Sequence, residues 1–240
     1  MLAEERYNEI LRLVNEQKTV TVQELTEVLD TYESTTRRDL NTLPKKGSLI
    51  KVHGGATALS VEGMTRDASL TVRRDMNIEE KVAIAKYAAA LIEKDDFVYL
   101  DAGSSVDLMI DYIVEQEAIY VTNAIGHAQK LLQKGCRVFL LGGELKEVTE
   151  AIVGAQAIDS LERYNVTKGF FEANGVHRKR GLTTPDITEA LVKEKAKEQC
   201  ANRYVLADST KINQVSSVTF AGLEKEMILT TRLRDASYKA

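Results

Sequence analysis

The chain is poor in the residues that staple, span or ligate. Its 240 residues hold two cysteines, Cys136 and Cys200, far apart and each beside apolar or helical sequence with no second cysteine or histidine at ligand spacing. That argues against a disulfide or a metal site and for two small buried or half-buried thiols. The three histidines, His53, His127 and His177, are isolated from one another and from any metal-binding partner. No metal, cofactor or catalytic residue is therefore expected. No apolar run approaches the ~18 residues of a membrane span, and Met1-Leu-Ala-Glu-Glu-Arg6 opens as a charged helix without an apolar signal core. A cytoplasmic protein without a membrane partner is expected. An excess of positive charge is missing as well: 32 Lys and Arg face 36 Asp and Glu, a net −4 that by itself argues against nucleic acid.

What is present changes that reading. A hydrophobic content of 44% can fill the core of one large or two ordinary domains. Charge is also unevenly spread. Residues 1–58 carry eight Lys/Arg against nine Asp/Glu, yet every acid but Glu33 and Asp39 precedes Thr31. Between Arg37 and Lys51 five cations meet one anion, Asp39. Tyr7, Ile10, Leu11 and Val14 recur at helical spacing, and Thr21-Val-Gln-Glu24 is a capping box that starts a second helix through Val22, Leu25, Val28 and Leu29. Asp30-Thr31-Tyr32 is a turn that permits only a tight crossing into a polar helix, Glu33 to Leu43, followed by a ribbon, Leu49 to Ala56. Helix, short turn, basic helix, ribbon is winged helix-turn-helix order. Cations hold phosphates, and hydroxyls at a helix start suit phosphate oxygens or base edges. Ser34, Thr35, Thr36, Arg37, Arg38, Lys51 and the ribbon's His53 are the expected contacts to double-stranded operator DNA. Residues 57–77 show no sustained period and read as a linker between a 1–56 DNA-binding domain and a 78–240 domain.

From Ile78 onward short apolar strands alternate with helices, which predicts a mostly parallel sheet covered on both faces. Ligands of such sheets sit at the carboxyl ends of the strands. The loops there are Asp101-Ala-Gly-Ser-Ser105, Thr122-Asn123, Gly142-Gly143, Ala173-Asn174-Gly175 and Asp208-Ser-Thr-Lys211. The first precedes a helix, so backbone N–H groups, two hydroxyls and the positive end of the helix dipole converge on an anion. Asp101, Gly103, Ser104, Ser105, Asn123, Gly142, Gly143, Asn174, Gly175, Asp208 and Lys211 are the expected effector-binding residues. Val176-His-Arg-Lys-Arg180 reads as a solvated lid or subunit contact. Asp186-Ile-Thr-Glu189 is a second capping box.

Arg37-Arg-Asp-Leu40, Lys46-Gly47 and Val52-His-Gly-Gly-Ala56 together resemble the signature of the DeoR family of bacterial sugar-operon repressors, of the fructose or lactose operon type. The similarity runs from about Met1 to the last strand. It includes Asp101 to Ser105, Val121-Thr-Asn123, Leu141-Gly-Gly143, Ala173-Asn-Gly175, Gly181-Leu-Thr-Thr-Pro-Asp186 and Ala207-Asp-Ser-Thr-Lys211. The resemblance implies a C-terminal fold like that of sugar-phosphate isomerases, sensing without turnover, and a homodimer or homotetramer. It also implies a phosphorylated sugar effector, fructose 1-phosphate or tagatose 6-phosphate by family analogy. Five departures from the family pattern stand out. Tyr32 replaces a small capping residue, Thr36 an apolar one, and Pro44 falls within or at the end of the basic helix. Ser104-Ser105 stands where threonines are common, and Glu172 where a small residue or glycine is usual. An isomerase with an appended DNA-binding-like domain is the alternative, and a partner-binding α/β module that has lost both activities is a third reading. Only the regulator explains residues 1–56.

Overall fold

A capping box sets the N-terminal unit in place. In the computed structural model, which describes residues 3–17, 19–43, 49–52, 54–57, 64–65 and 76–231, α1 (Ala3–Gln17) leads through β1 (Thr19–Thr21) into α2 (Val22–Val28). Thr21 Oγ1 accepts from Glu24 N at 3.1 Å while Glu24 Oε2 accepts from Thr21 N at 2.7 Å, so two otherwise unpaired helix-start donors are satisfied. A turn with Asp30 in the left-handed region, φ 44°, delivers the chain to α3 (Glu33–Thr42). β2 (Ile50–Val52) and β3 (Gly55–Thr57) then form the wing, an antiparallel sheet in the order β1-β3-β2. Gly55 permits that packing, because a Cβ there would lie 2.1 Å from Val20 O. Ile10, Val14, Leu25, Leu40, Leu43 and Ala56 close the core.

Inside the expected linker, Met64–Thr65 forms β4. From Ile78 the alternation follows: α4 (Ile78–Ala89), β5 (Phe97–Leu100), α5 (Ser104–Tyr112), β6 (Ile119–Thr122), α6 (Ile125–Gln133) and β7 (Arg137–Leu140). A short hairpin, β8 (Glu144–Leu145) with β9 (Ile152–Val153), precedes α7 (Ala155–Leu161) and β10 (Val166–Glu172). β11 (Gly175–His177) and β12 (Gly181–Thr184) lead into α8 (Ile187–Glu198) and β13 (Cys200–Leu206). The chain ends in β14 (Val215–Ser216), β15 (Val218–Ala221) and β16 (Met227–Leu229).

Six strands make one parallel sheet in the order β16-β13-β10-β5-β6-β7. Side chains alternate between its faces. Val98, Leu100, Phe170 and Leu206 pack with Ile84, Ala88, Met109 and Leu131 on one side, while Tyr99, Phe171 and Val205 pack with Leu182, Ala190 and Ala196 on the other. The helices cover both faces as the apolar strands require. Beyond the expectation, β11, β12 and β15 form a separate antiparallel sheet, and β14 pairs in parallel with β4. The segment Val176 to Arg180, expected as a solvated lid or subunit contact, is the end of β11 and the tip of a hairpin, with Arg178, Lys179 and Arg180 exposed. There His177 Nδ1 accepts from Lys179 N at 3.2 Å and Arg180 N at 3.3 Å, so the imidazole holds the turn.

No helix among the described residues is long and apolar enough to cross a membrane. Cys136 and Cys200 are buried and free. Burial pushes both thiols up, Cys200 to about 12, so neither is a thiolate at neutral pH.

Candidate nucleic-acid interface and ligand cleft

α3 presents Ser34, Arg37 and Arg38 outward, with Thr35 half-buried. Glu33 holds Arg37, accepting from Nε at 2.9 Å and Nη2 at 2.6 Å. Lys51 on β2 is exposed and donates to Asn41 Oδ1 at 2.5 Å, which ties the wing to the end of α3. Asp39 lies on the inner side, buried against Arg6 at 2.8 Å, so its negative charge is withdrawn from the outer face. Arg37, Arg38 and Lys51 thus face outward without Asp39, the acid that shares their stretch of sequence.

Thr36 corrects the sequence reading. Expected to touch DNA, it is fully buried, and its hydroxyl meets Thr26 Oγ1 at 3.2 Å between α2 and α3. A threonine is tolerated there because Thr26 supplies a hydrogen-bond partner where an apolar residue would need none. His53 and Pro44 lie outside the described residues.

At the carboxyl ends of β5, β10 and β13 a cleft opens. It is lined by Met76, Asn77, Lys81, Ser104, Glu172, Ala173, Asn174, Asp208, Thr210 and Lys211. Ser104 begins α5 and is brought here by β5, Asn174 follows β10, and Asp208 and Lys211 follow β13 through a 3-10 turn, Ser209–Lys211. Asp208 caps that turn, accepting from Thr210 N at 3.0 Å, and also from Asn77 Nδ2 at 3.2 Å. Asn77 opens α4 with φ 52° and further donates to Thr210 Oγ1 at 3.3 Å. Lys81, buried on α4, donates to Ser104 Oγ at 3.0 Å. Among the described residues the Lys211 ammonium has neither an ion-pair nor a hydrogen-bond partner.

Four of the expected effector residues, Ser104, Asn174, Asp208 and Lys211, meet in this cleft. Gly103 and Ser105 stand directly behind Ser104. The other five lie outside the cleft lining. Asp101 is fully buried, accepting from Lys193 Nζ and, at 3.0 Å, from Glu172 N. Burial lifts its carboxyl above the ordinary range while the Lys193 ammonium opposes the rise. Asn123 braces loops, accepting from Ala102 N at 2.8 Å and donating to Ile152 O at 3.3 Å. Gly142 and Gly143 lie toward the β8–β9 hairpin, where a Cβ on Gly143 would come 2.4 Å from Val153 O. Gly175 is required by close packing, since a Cβ would lie 2.5 Å from Gln214 O. Sequence reasoning missed Asn77, Lys81 and Thr210. Lys81 had left a signal: it falls at helical spacing with Ile84, Ala85 and Ala88, a cation on an otherwise apolar stripe.

A second buried network lies between α8 and the β8–β9 hairpin. Glu189 accepts from Lys146 at 2.8 Å and Thr149 at 2.6 Å, and Lys146 also pairs with Asp186 at 2.9 Å. Burial alone would raise both carboxyls, but the Lys193 ammonium with Lys146 and Thr149 holds Glu189 below its ordinary value, and hydrogen bonds from Thr188 and Lys146 hold Asp186 at about 2. Asp186 caps α8 by accepting from Thr188 N at 2.8 Å and Glu189 N at 3.0 Å. Among the described residues no group of three His, Cys, Asp or Glu side chains is placed to hold a metal ion.

A winged helix-turn-helix joined to a parallel α/β unit with a polar strand-end cleft is the plan of a transcription regulator with an attached sensor. Residues 6–62 match the DeoR-like helix-turn-helix domain and residues 76–232 match the DeoR C-terminal sensor domain. The chain belongs to the DeoR family of transcriptional regulators, and it is a regulator rather than an enzyme. It is 38% identical over 239 residues to the uncharacterized HTH-type transcriptional regulator FruR of Bacillus subtilis (strain 168), covering 99% of this chain and 94% of that one. With the lactose phosphotransferase system repressor of Staphylococcus aureus (strain NCTC 8325 / PS 47) it shares 35% identity over 224 residues, 92% of this chain and 88% of that one. Among solved structures, ribose 5-phosphate isomerase A from Methanocaldococcus jannaschii superposes with a TM-score of 0.43 and 18% identity, over 57% of this chain and 55% of that one.

Proposed function

We propose that the chain represses a sugar-utilisation operon and leaves its operator when a phosphorylated sugar enters the cleft. In this reading residues 1–56 bind the operator through Ser34, Thr35, Arg37, Arg38, Lys51 and His53, residues 78–240 sense the sugar, and residues 57–77 join them. One observation carries it: Lys81, Lys211, Ser104 and Asn174, supplied by separate elements, converge at the strand ends beside the start of α5. Two cations and a helix N-terminus suit a phosphate, while Asn174 and Asp208 suit sugar hydroxyls. Fructose 1-phosphate and tagatose 6-phosphate are the first candidates, by family analogy and, for the second, by the lactose phosphotransferase system named in relatives. Operator half-sites related by two-fold symmetry make a dimer or tetramer the expected assembly.

A thermal-shift screen of phosphorylated pentoses and hexoses against the full chain tests the effector. One sugar phosphate should raise the melting temperature, release operator DNA in a mobility-shift titration and be recovered unconverted. Turnover of ribose, glucosamine or fructose phosphates would instead support the isomerase.

A further inference from the structure

The place where an anionic ligand would be held is already taken by the chain itself. β10 ends at Glu172 beside the start of α5, and Glu172 Oε2 accepts from Ser104 N at 3.0 Å. Its Oε1 accepts from Ser105 N at 2.7 Å and from Ser104 Oγ at 3.4 Å. Gly103 makes the room, for a Cβ there would lie 2.1 Å from Glu172 Oε2. Lys81 donates to the same Ser104 hydroxyl, so a buried ammonium stands one hydrogen bond from this carboxylate's partner. Two backbone N–H groups at a helix start with a cation behind them form an anion seat, and a carboxylate fills it. With Glu172 in this seat, the enclosed part of the cleft is about 20 Å³, room for roughly one water.

We propose that Glu172 is an internal anion that competes with the effector for the start of α5, so that an anionic effector binds only as this side chain leaves. The inference rests on the sugar-phosphate reading above only for the identity of the ligand. Each backbone N–H has one proton to give, and a phosphate set beside an undisplaced carboxylate would meet like charge in a poorly solvated cleft. Glu172 therefore sets how much effector is needed, and discriminates against anions too weak to expel it. Its departure frees the end of β10, next to Ala173 and Asn174 on the cleft wall.

The test titrates inorganic phosphate and fructose 1-phosphate into the full-length protein as wild type, Glu172→Ala and Glu172→Gln, by calorimetry and by the 1H–15N shifts of Ser104 and Ser105. Glu172→Ala should bind inorganic phosphate about tenfold or more tighter than wild type, with both amides moving at lower phosphate. Glu172→Gln, which keeps the shape and an acceptor but not the charge, should fall between. It decides the matter if thermal denaturation shows the alanine variant unfolded. Equal phosphate affinity in wild type and the folded variants overturns the inference. So does weaker binding in the variants, because Glu172 would then be a ligand contact. If the variants gain phosphate but no form binds fructose 1-phosphate, that sugar is excluded and the inference stands. If wild type binds fructose 1-phosphate and neither variant alters it, the inference fails and the sugar reading survives.

Discussion

Arg37 stands on the outer face of α3 in an exposed pair with Glu33. A pair of that kind is worth about 0.3–0.5 kcal/mol, too little to keep the guanidinium from a phosphate or a guanine edge. Arg37→Ala is expected to weaken operator binding. If the side chain reads a base, discrimination should fall by about 1–3 kcal/mol. If it holds a phosphate, all sequences should weaken together and the salt slope should drop by about one. Titrations on operator and random DNA at several salt concentrations separate the two, and unchanged affinity for both would remove Arg37 from the interface. His127 makes a different kind of statement. Buried on α6, with Nδ1 3.4 Å from Thr122 Oγ1, its imidazole is pushed by desolvation from 6.5 down to about 4, although Asp107 pulls the other way. The folded state thus resists a proton that the unfolded chain accepts. Its contribution is complete above pH 6.5 and lost as pH falls toward 4, by up to roughly 3 kcal/mol. Urea denaturation across that window should give a flatter pH dependence for His127→Gln than for wild type, and parallel curves would mean that His127 is not held neutral.

α3, the second helix of the helix-turn-helix, starts without a side-chain cap. Tyr32 has the extended backbone of a cap, φ −83° and ψ 145°, but makes no cap hydrogen bond and is 82% exposed. Tyr32→Ser should stabilise the protein by about 1 kcal/mol in equilibrium denaturation. A loss instead would show that the ring performs a task the hydroxyl cannot. Elements whose partners lie nearby were legible in the sequence: the Thr21–Glu24 box, the apolar strands from Phe97 on, and the Asp186 cap all declare themselves within four residues. The β11-β12-β15 sheet did not, because its strands have three or four residues each and residues 177–180 are polar enough to pass for a loop. Thr36 misled because hydroxyl chemistry alone does not say which way a helix turns it, and its inner partner Thr26 lies on another helix. The cleft was legible at Ser104, Asn174, Asp208 and Lys211, which lie in strand-end loops. Lys81 showed only as a cation on an apolar helical stripe and the seat of Glu172 not at all, since their partners lie 23 and 68 residues away.

At the scale of the whole molecule, a ligand moves the operator equilibrium only by its different affinity for the two states. Lys211→Ala is therefore expected to keep operator affinity while losing the effector response. The coupling should be about 1–3 kcal/mol, and operator DNA must change effector affinity by the same factor. Effector titration of a preformed protein–operator complex, wild type beside variant, checks this, and a wild-type response in Lys211→Ala would move the phosphate away from that lysine. The route is suggested by Met76 and Asn77. They are the last two residues of the connecting segment, and the Asn77 amide is tied to Asp208 and Thr210, so the tether itself forms part of the cleft wall. A tether anchored in the proposed effector cleft makes its length a variable of the signal. Lengthening it by about ten glycine and serine residues after residue 70 should leave both separate affinities intact while the coupling factor decays toward one, because a longer flexible connection passes on less of a displacement made at its anchored end.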